Sequence, residues 1–233
     1  MNEKNRSNNP FLCLTKKEWI IWICSLLGVT VSNIATEHLD VLTLITTLIG
    51  VTSLIFAAKG NVWAQILMIV FSILYGIISW RFRYWGEMIT YLGMTLPMAV
   101  WSTITWLKNP SKENGNEVAI QRLNRKHVAA LIFWGIVVTV GFYFVLLAFH
   151  TPNIVFSTIS ITTSFLAASL TMLRSSYYAL GYASNDIVLI ILWTLASMEN
   201  PVYIPVVVNF TIFFFNDMYG FFSWKKRESE QKI

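Results

Sequence analysis

The chain has 233 residues, of which 55% are hydrophobic and 12% are charged, and its formal net charge is +5. A soluble domain carries roughly 25% charged residues, so this composition excludes a large soluble domain and indicates a protein embedded in a bilayer. The basic residues lie in tails and loops beside apolar segments, which indicates membrane orientation and not a nucleic-acid partner. The two cysteines, Cys13 and Cys24, indicate neither a disulfide framework nor a cysteine metal site.

Eight apolar stretches follow one another along the chain, each close to the roughly 20 residues that a crossing helix needs. We predict helices at 19–36, 41–58, 61–80, 88–106, 128–149, 153–173, 177–198 and 202–224. Their connections are short except for 107–127, where Asn-Pro and Asn-Gly pairs are typical of a loop. The sequence therefore predicts an all-α integral membrane protein with eight transmembrane helices.

The basic residues test this helix count. With the amino terminus inside, fifteen of the 17 lysines and arginines fall in inner segments and two, Arg81 and Arg83, fall in outer loops. Such an excess is typical of the cytoplasmic side. We therefore predict a multi-pass protein of the cell membrane with both termini in the cytoplasm.

The layout of the helices also divides the chain. Two blocks of three helices each begin with a helix rich in Thr and Ser, then turn at a basic residue, Lys59 or Arg174. An odd number of helices per block needs one additional crossing if both blocks run in the same direction, and the fifth helix supplies it. We predict a tail and an extra amino-terminal helix at 1–37, a first three-helix repeat at 38–109, a loop and linker helix at 110–151, and a second repeat with a basic tail at 152–233.

Two carboxylates, Asp186 and Asp217, lie inside the last two apolar stretches, and each follows an asparagine. A charged group at the centre of a bilayer costs about 2.5–3.5 kcal/mol unless it faces a cavity, a partner or a substrate. We therefore expect a membrane protein that moves a polar solute.

Polar and aromatic side chains share one face with each carboxylate. In the seventh helix the spacing places Tyr178, Tyr182 and Asn185 on one face, and in the eighth it places Asn209, Phe213 and Asn216 on one face. Aromatic rings beside amides and carboxylates suit a planar heterocycle that carries sugar hydroxyls. The predicted substrate-binding residues are Tyr178, Tyr182, Asn185, Asp186, Asn209, Phe213, Asn216 and Asp217.

Several of these residues also have a structural interpretation. Asn209 either binds ligand or joins two helices, and Asp217 either binds ligand or makes a structural bond near the inner end. The Thr and Ser residues of the second and sixth helices favour interhelical hydrogen bonds. Tryptophans near helix ends are typical of the membrane interface, which is the expectation for the five at positions 19, 80, 85, 106 and 224.

Enzyme and scaffold functions have less support. Ala58-Lys59-Gly60-Asn61 lacks the spacing of a P-loop, and no nucleophile, base and orienting residue occur together. No histidine has metal-ligand spacing, so we expect no metal and no cofactor. A scaffold subunit would explain the helices but not two buried carboxylates.

Five stretches resemble the PnuC family of vitamin-precursor transporters. Four of them are Ala-Lys-Gly-Asn-Val-Trp at 58–63, Tyr-Trp-Gly-Glu at 84–87, Leu-Pro-Met at 96–98 and Asn-Asp-Met-Tyr-Gly-Phe at 216–221. The strongest match is Tyr-Tyr-Ala-Leu-Gly-Tyr-Ala-Ser-Asn-Asp-Ile-Val-Leu at 177–189. The resemblance covers roughly residues 41–224 and implies a three-plus-one-plus-three core like that of SWEET proteins, here with an additional amino-terminal helix.

The same resemblance implies a function. Members of the family usually carry nicotinamide riboside by facilitated diffusion, with cytoplasmic phosphorylation trapping the product. The partners it implies are the small-molecule substrate, the lipid bilayer, two further copies in a homotrimer and a cytoplasmic ribosylnicotinamide kinase. Relatives take thiamine, riboflavin or deoxynucleosides, and these substrates, as well as proton coupling, remain open.

The chain departs from the family pattern at two places. Ala99 stands where the family usually has Gln, followed by Trp101 and Ser102 in place of a Gly-aromatic step. Tyr178 and Tyr182 stand where many members have Trp. We expect nicotinamide riboside as the substrate, and these departures leave a related vitamin or nucleoside as the alternative.

Overall fold

Helices make up nearly all of the regular structure in the computed structural model, which describes residues 10–35, 40–81, 85–112, 115–151 and 153–231. The α-helices are α1 (Lys16–Ile34), α2 (Val41–Lys59), α3 (Trp63–Arg81), α4 (Trp85–Thr90), α5 (Leu96–Lys108), α6 (Arg125–Ala148), α7 (Ile154–Met172), α8 (Tyr178–Glu199) and α9 (Ile204–Glu230). Two short 3-10 helices, Pro10–Cys13 and Pro201–Tyr203, precede α1 and α9. The predicted amino-terminal tail to residue 9, positions 36–39 around the end of the first predicted helix, and Arg83 lie outside the described residues.

The fourth predicted helix is a single rod made of three parts. A five-residue π-helical segment, Tyr91–Thr95, joins α4 directly to α5. The described chain therefore has eight long helical units in the predicted order, and the prediction of an all-helical protein with eight helices is confirmed. The rod begins at Trp85, three residues before the predicted position 88, and α9 continues six residues past the predicted position 224.

Six helices in the described ranges are long and apolar enough to cross a bilayer: α2, α3, α6, α7, α8 and the segment Pro201–Glu230 that contains α9. The other two units differ for local reasons. The helix α1 begins with the charged residues Lys16, Lys17 and Glu18, and the α4–α5 rod is interrupted by its π-helical segment. The two α-helical parts of this rod, α4 and α5, are each shorter than the roughly 20 residues of a crossing helix.

Close packing of small residues holds the bundle together. The helix α8 packs between α7 and α9, α2 packs between α3 and α9, α1 lies against α9 and α2, and α6 lies mainly against α7. A Cβ atom added to Gly181 would lie 2.9 Å from Cα of Ala167, so α8 and α7 approach as closely as their backbones allow. Small residues serve this purpose in membranes, where dispersion contacts between helices replace the hydrophobic driving force.

The two ends of the bundle differ. At one end the helix Pro10–Cys13, the α2–α3 turn at Gly60, the long loop after α5 and the end of α9 come together; we call this end the loop face. At the other end the beginning of α4 and the α6–α7 and α8–α9 connections lie around a cavity; we call this end the cavity face.

Candidate functional site

A cavity of about 570 Å³ opens at the cavity face, between the α3–α4 side of the bundle and the α7–α9 side. From the first side it is lined by Tyr75, Glu87 and Tyr91, and from the second by Ser160, Trp193 and other residues of α7 to α9. Ligand pockets commonly have volumes of about 300–1,000 Å³ and combine aromatic walls with a few polar groups. The cavity is therefore large enough for a small polar solute.

The first wall is an aromatic cluster around a carboxylate. The Tyr75 hydroxyl donates a hydrogen bond of 2.7 Å to Oε2 of Glu87. The rings of Tyr75 and Tyr91 lie 4.4 Å apart, and Phe71 stacks on Tyr75 at 5.5 Å. The cluster forms because α3 and the π-helical segment lie very close, since a Cβ atom at Gly76 would be 2.6 Å from the side chain of Leu92.

The second wall connects the cavity to a predicted site residue. Ser160 lines the cavity and donates a hydrogen bond of 3.1 Å to Oδ1 of Asn185, which also accepts one of 2.9 Å from Thr163. Leu189, one helical turn from Asn185, lines the cavity directly. Asn185 therefore lies behind the wall and orients a hydroxyl that faces the cavity.

The two predicted carboxylates lie next to each other. The side chains of Asp186 and Asp217 lie within hydrogen-bonding distance of each other, and each residue is only 4% exposed. The second oxygen of Asp186, Oδ2, is buried and has no hydrogen-bond partner among the described residues. The pair therefore places two carboxyl groups inside the contact between α8 and α9.

The carboxyl pair lies close to the cavity without lining it. Tyr91, a lining residue, interacts electrostatically with both Glu87 and Asp186, and Tyr182 interacts with both aspartates. A row of ionisable side chains within electrostatic range of one another therefore runs from Glu87 at the cavity wall to the Asp186–Asp217 pair.

Beyond this row, the loop face is closed by aromatic side chains. Tyr178 lies 4.6 Å from Trp224, which in turn lies 5.6 Å from Trp106. Each tryptophan indole donates a hydrogen bond to a helix carbonyl, Trp106 to Thr171 at 3.0 Å and Trp224 to Ala57 at 2.8 Å. The expectation that Trp106 and Trp224 lie at the membrane interface is wrong, because both are fully buried in the contact between helices.

The other tryptophans of that expectation fall in two groups. Trp19 and Trp80 are 37% and 60% exposed, in agreement with a position on the outer surface of the bundle. Trp85 lines the cavity. Position near a helix end therefore did not separate the interfacial tryptophans from those that fill the interior.

A segment of the long loop, residues 117–121, lies over this closed end; we call it the strap. Glu117 forms an ion pair of 3.0 Å with Arg227 of α9, and the next amide, of Val118, donates to the carbonyl of Gly60. At its other end the strap is joined to Arg174, whose guanidinium donates to Oε1 of Gln121 at 2.6 Å. The strap thus connects the α2–α3 turn, the α7–α8 turn and the end of α9.

Three predicted site residues of α9 face other helices. The Asn216 amide donates a hydrogen bond of 2.8 Å to Oγ of Ser25, and Asn209 accepts one of 3.4 Å from Ser32, both in α1. The ring of Phe213 approaches Gly50 of α2. These side chains join α9 to α1 and α2.

None of the eight predicted site residues lines the described cavity, and their role in substrate binding stays a prediction. The structure brings Tyr182, Asp186 and Asp217 together near the cavity and places Asn185 behind its wall. Sequence reasoning missed Glu87, because the predicted fourth helix began one residue later. A carboxylate next to a crossing helix was the signal that could have found it.

The chain is similar to nicotinamide transporters. The family model for nicotinamide mononucleotide transporters matches residues 40–226. The nicotinamide riboside transporter PnuC of Haemophilus influenzae is 24% identical over 186 residues, which are 79% of each chain. That of Neisseria mucosa is 21% identical over 211 residues, 88% of this chain and 80% of the relative.

A solved structure shares the fold. The crystal structure of the vitamin B3 transporter PnuC superposes with a TM-score of 0.80 at 19% identity and covers 94% of both chains. The family model spans most of the eight-helix bundle, including the cavity walls and the carboxyl pair. The chain therefore belongs to the PnuC family of membrane transporters.

Proposed function

We propose that this transporter carries nicotinamide riboside through the cavity between the α3–α4 and α7–α9 sides. The observation that carries the proposal is the composition of the described cavity wall, which has aromatic rings, hydroxyls and two carboxylates, Glu87 and Glu199, but no Lys, Arg or His. Nicotinamide riboside has a planar cationic ring and sugar hydroxyls, and these groups match that wall.

The same wall favours the riboside over the mononucleotide. A phosphate group carries up to two negative charges and is usually held by arginine, lysine or a helix amino terminus. Here it would meet Glu87 and the nearby Asp186–Asp217 pair, without a basic residue in the described wall. The physical expectation is uptake of the riboside and exclusion of its phosphorylated form.

Flux into liposomes tests this proposal. Purified protein should take up labelled nicotinamide riboside, and unlabelled riboside should compete, whereas the mononucleotide should not. Thiamine, riboflavin and deoxynucleosides in the same competition assay cover the alternative substrates. Uptake of one of these with no uptake of nicotinamide riboside would overturn the assignment. It would also indicate that Ala99, in place of the Gln usual in the family, changes the substrate.

For the mechanism we propose facilitated diffusion. Among the described residues, no Lys, Arg or His acts on the carboxyl pair as a partner that could exchange a proton with it. Accumulation would then depend on phosphorylation by a cytoplasmic ribosylnicotinamide kinase, because the described cavity wall has no basic residue to bind the phosphorylated product. Proton coupling is the second candidate, favoured by the burial of two neighbouring carboxyl groups, Asp186 and Asp217, inside the bundle.

We further propose how the chain is oriented in the membrane and how its helices are arranged. The loop face is cytoplasmic, because it carries the positive-inside residues, among them Lys59, Arg174 and Arg227. In this orientation the cavity opens to the outside and the strap lies inside. The helices α2 to α5 and α7 to α9 form the two repeats of a three-plus-one-plus-three core, with α6 as the linker and α1 as the additional helix.

The proposed homotrimer has support from α6. Only Gly135 and Leu146 of its 24 residues are buried, so most of this apolar helix faces lipid or another protomer. Chemical cross-linking in membranes, followed by mass determination in detergent, tests the assembly independently of transport.

A further inference from the structure

The cavity holds one carboxylate that lies deep in its wall. Glu87 is partly exposed to the cavity and accepts a hydrogen bond from the neutral hydroxyl of Tyr75. In the part of the chain that the structure describes, no basic side chain forms an ion pair with Glu87. The other lining carboxylate, Glu199, is exposed at the end of α8.

The surroundings of Glu87 suit a flat cation. The rings of Phe71, Tyr75 and Tyr91 lie within 5.8 Å of one another beside it. Aromatic faces attract a delocalised positive charge, and a carboxylate at the edge of such a cluster adds a direct Coulomb attraction. The Asp186–Asp217 pair does not provide this charge at the wall, because neither residue lines the cavity.

We propose that Glu87 sets the charge selectivity of the cavity, favouring a substrate with a positively charged planar ring over the same substrate with a neutral ring. This inference rests on the proposed function, since the ring would be the nicotinamide of the riboside. It goes further by assigning the preference for charge to one carboxylate in the first repeat, on the opposite side of the cavity from α8 and α9.

A pair of ligands that differ in ring charge tests the inference. Nicotinamide riboside has a cationic ring, and its 1,4-dihydro form has a neutral ring with the same ribose and amide. Dissociation constants of both are measured for the full chain in lipid nanodiscs. The wild-type protein should prefer the cation, and Glu87→Gln should reduce this preference about tenfold or more, because it removes one partner of a charge pair in a partly dry site.

Three controls separate charge from folding and shape. The dihydro form should bind Glu87→Gln within about twofold of wild type, since Gln keeps the shape and can still accept from Tyr75. Glu87→Asp keeps the charge and should retain most of the preference. Glu230→Gln removes an exposed carboxylate outside the cavity and should leave the preference unchanged within about twofold.

Each outcome has one meaning. Equal preference in wild type and Glu87→Gln, with both proteins binding nicotinamide riboside, overturns the role of Glu87 and leaves the proposed function intact. Loss of the preference in Glu87→Asp, or an equal loss in Glu230→Gln, also overturns it, because the effect would then not belong to the charge at this position. A wild-type protein that binds neither ligand overturns the proposed function as well.

Discussion

Replacing Arg227 by alanine should destabilise the protein, because this side chain joins the strap to the bundle. The Arg227 side chain is 13% exposed; its Nε lies 3.0 Å from Oε2 of Glu117, and its Nη2 donates to the carbonyl of Val118 at 2.9 Å. The guanidinium also rests against Gly60 and over the ring of Trp224. The substitution therefore removes an ion pair, a hydrogen bond and two packing contacts at one point.

The magnitude follows from burial. Breaking a fully buried ion pair costs about 3–5 kcal/mol, because the remaining charge is left without a partner. Glu117 is 16% exposed, so water relieves part of this penalty, and we expect a loss of about 2–4 kcal/mol. For a chain of this length, that loss corresponds to a fall in Tm of roughly 4–16 °C.

Thermal unfolding of the purified protein in detergent measures this effect, with two comparisons. Lys226→Ala removes the neighbouring pair to Glu230, whose side chains are 77% and 56% exposed, and should cost less than about 0.5 kcal/mol. A double-mutant cycle with Glu117→Ala should give a coupling energy of about 1–3 kcal/mol. If Arg227→Ala lowers Tm no more than Lys226→Ala, or if the two strap substitutions are additive, the attachment does not stabilise the loop face.

Three further substitutions test the remaining contacts. Gly60→Ala should destabilise the protein by about 1–2 kcal/mol or more in thermal unfolding, because φ is +68° and the added Cβ would meet Arg227. Trp106→Phe should cost about 1–3 kcal/mol in the same assay, since it removes the hydrogen bond to Thr171 and leaves a small void. Asp186→Asn should weaken riboside binding, measured by calorimetry, while uptake into liposomes remains independent of the pH gradient.

The substitutions at Gly60 and Trp106 each have a matched comparison. A Cβ at Gly115 would meet nothing within 4 Å, so Gly115→Ala should leave Tm nearly unchanged. Trp80 is 60% exposed, and Trp80→Phe should also have little effect. Equal effects within either pair would contradict the structural reasoning. Accumulation driven by a proton gradient alone, abolished by Asp186→Asn, would show proton coupling and overturn facilitated diffusion.

The candidate site could be predicted only in part. Helical spacing assigned faces within α8 and α9 and placed Asp186 one turn from Tyr182, and the structure adds Asp217 of α9 near them. The same spacing could not say which helix each face meets. Asn216 has the same local surroundings in sequence as Asp217, yet it donates to Ser25 because α1 packs there.

Glu87 and the strap show the limits of a local pattern. The carboxylate becomes a cavity residue only through its approach to Tyr75 of α3 and through the π-helical segment that directs Tyr91 beside it. The loop after α5 has the composition of a solvent-exposed connection, yet Glu117 is nearly buried because Arg227 lies opposite. Such pairings join residues about 10 to 110 positions apart, so neither the composition nor the local sequence pattern indicates them.

What the sequence determined by itself is the membrane character, the number and order of the helices and the family. These properties depend on the sum of apolar residues over about 20 positions, on the periodic spacing within a helix and on local motifs such as that at 177–189. Only the tertiary structure decided where the cavity lies, that Asp186 and Asp217 touch, and that Trp106 and Trp224 are buried. The reason is that in a bilayer every helix is apolar on most faces, so packing between small residues, rather than hydrophobicity, determines which faces meet.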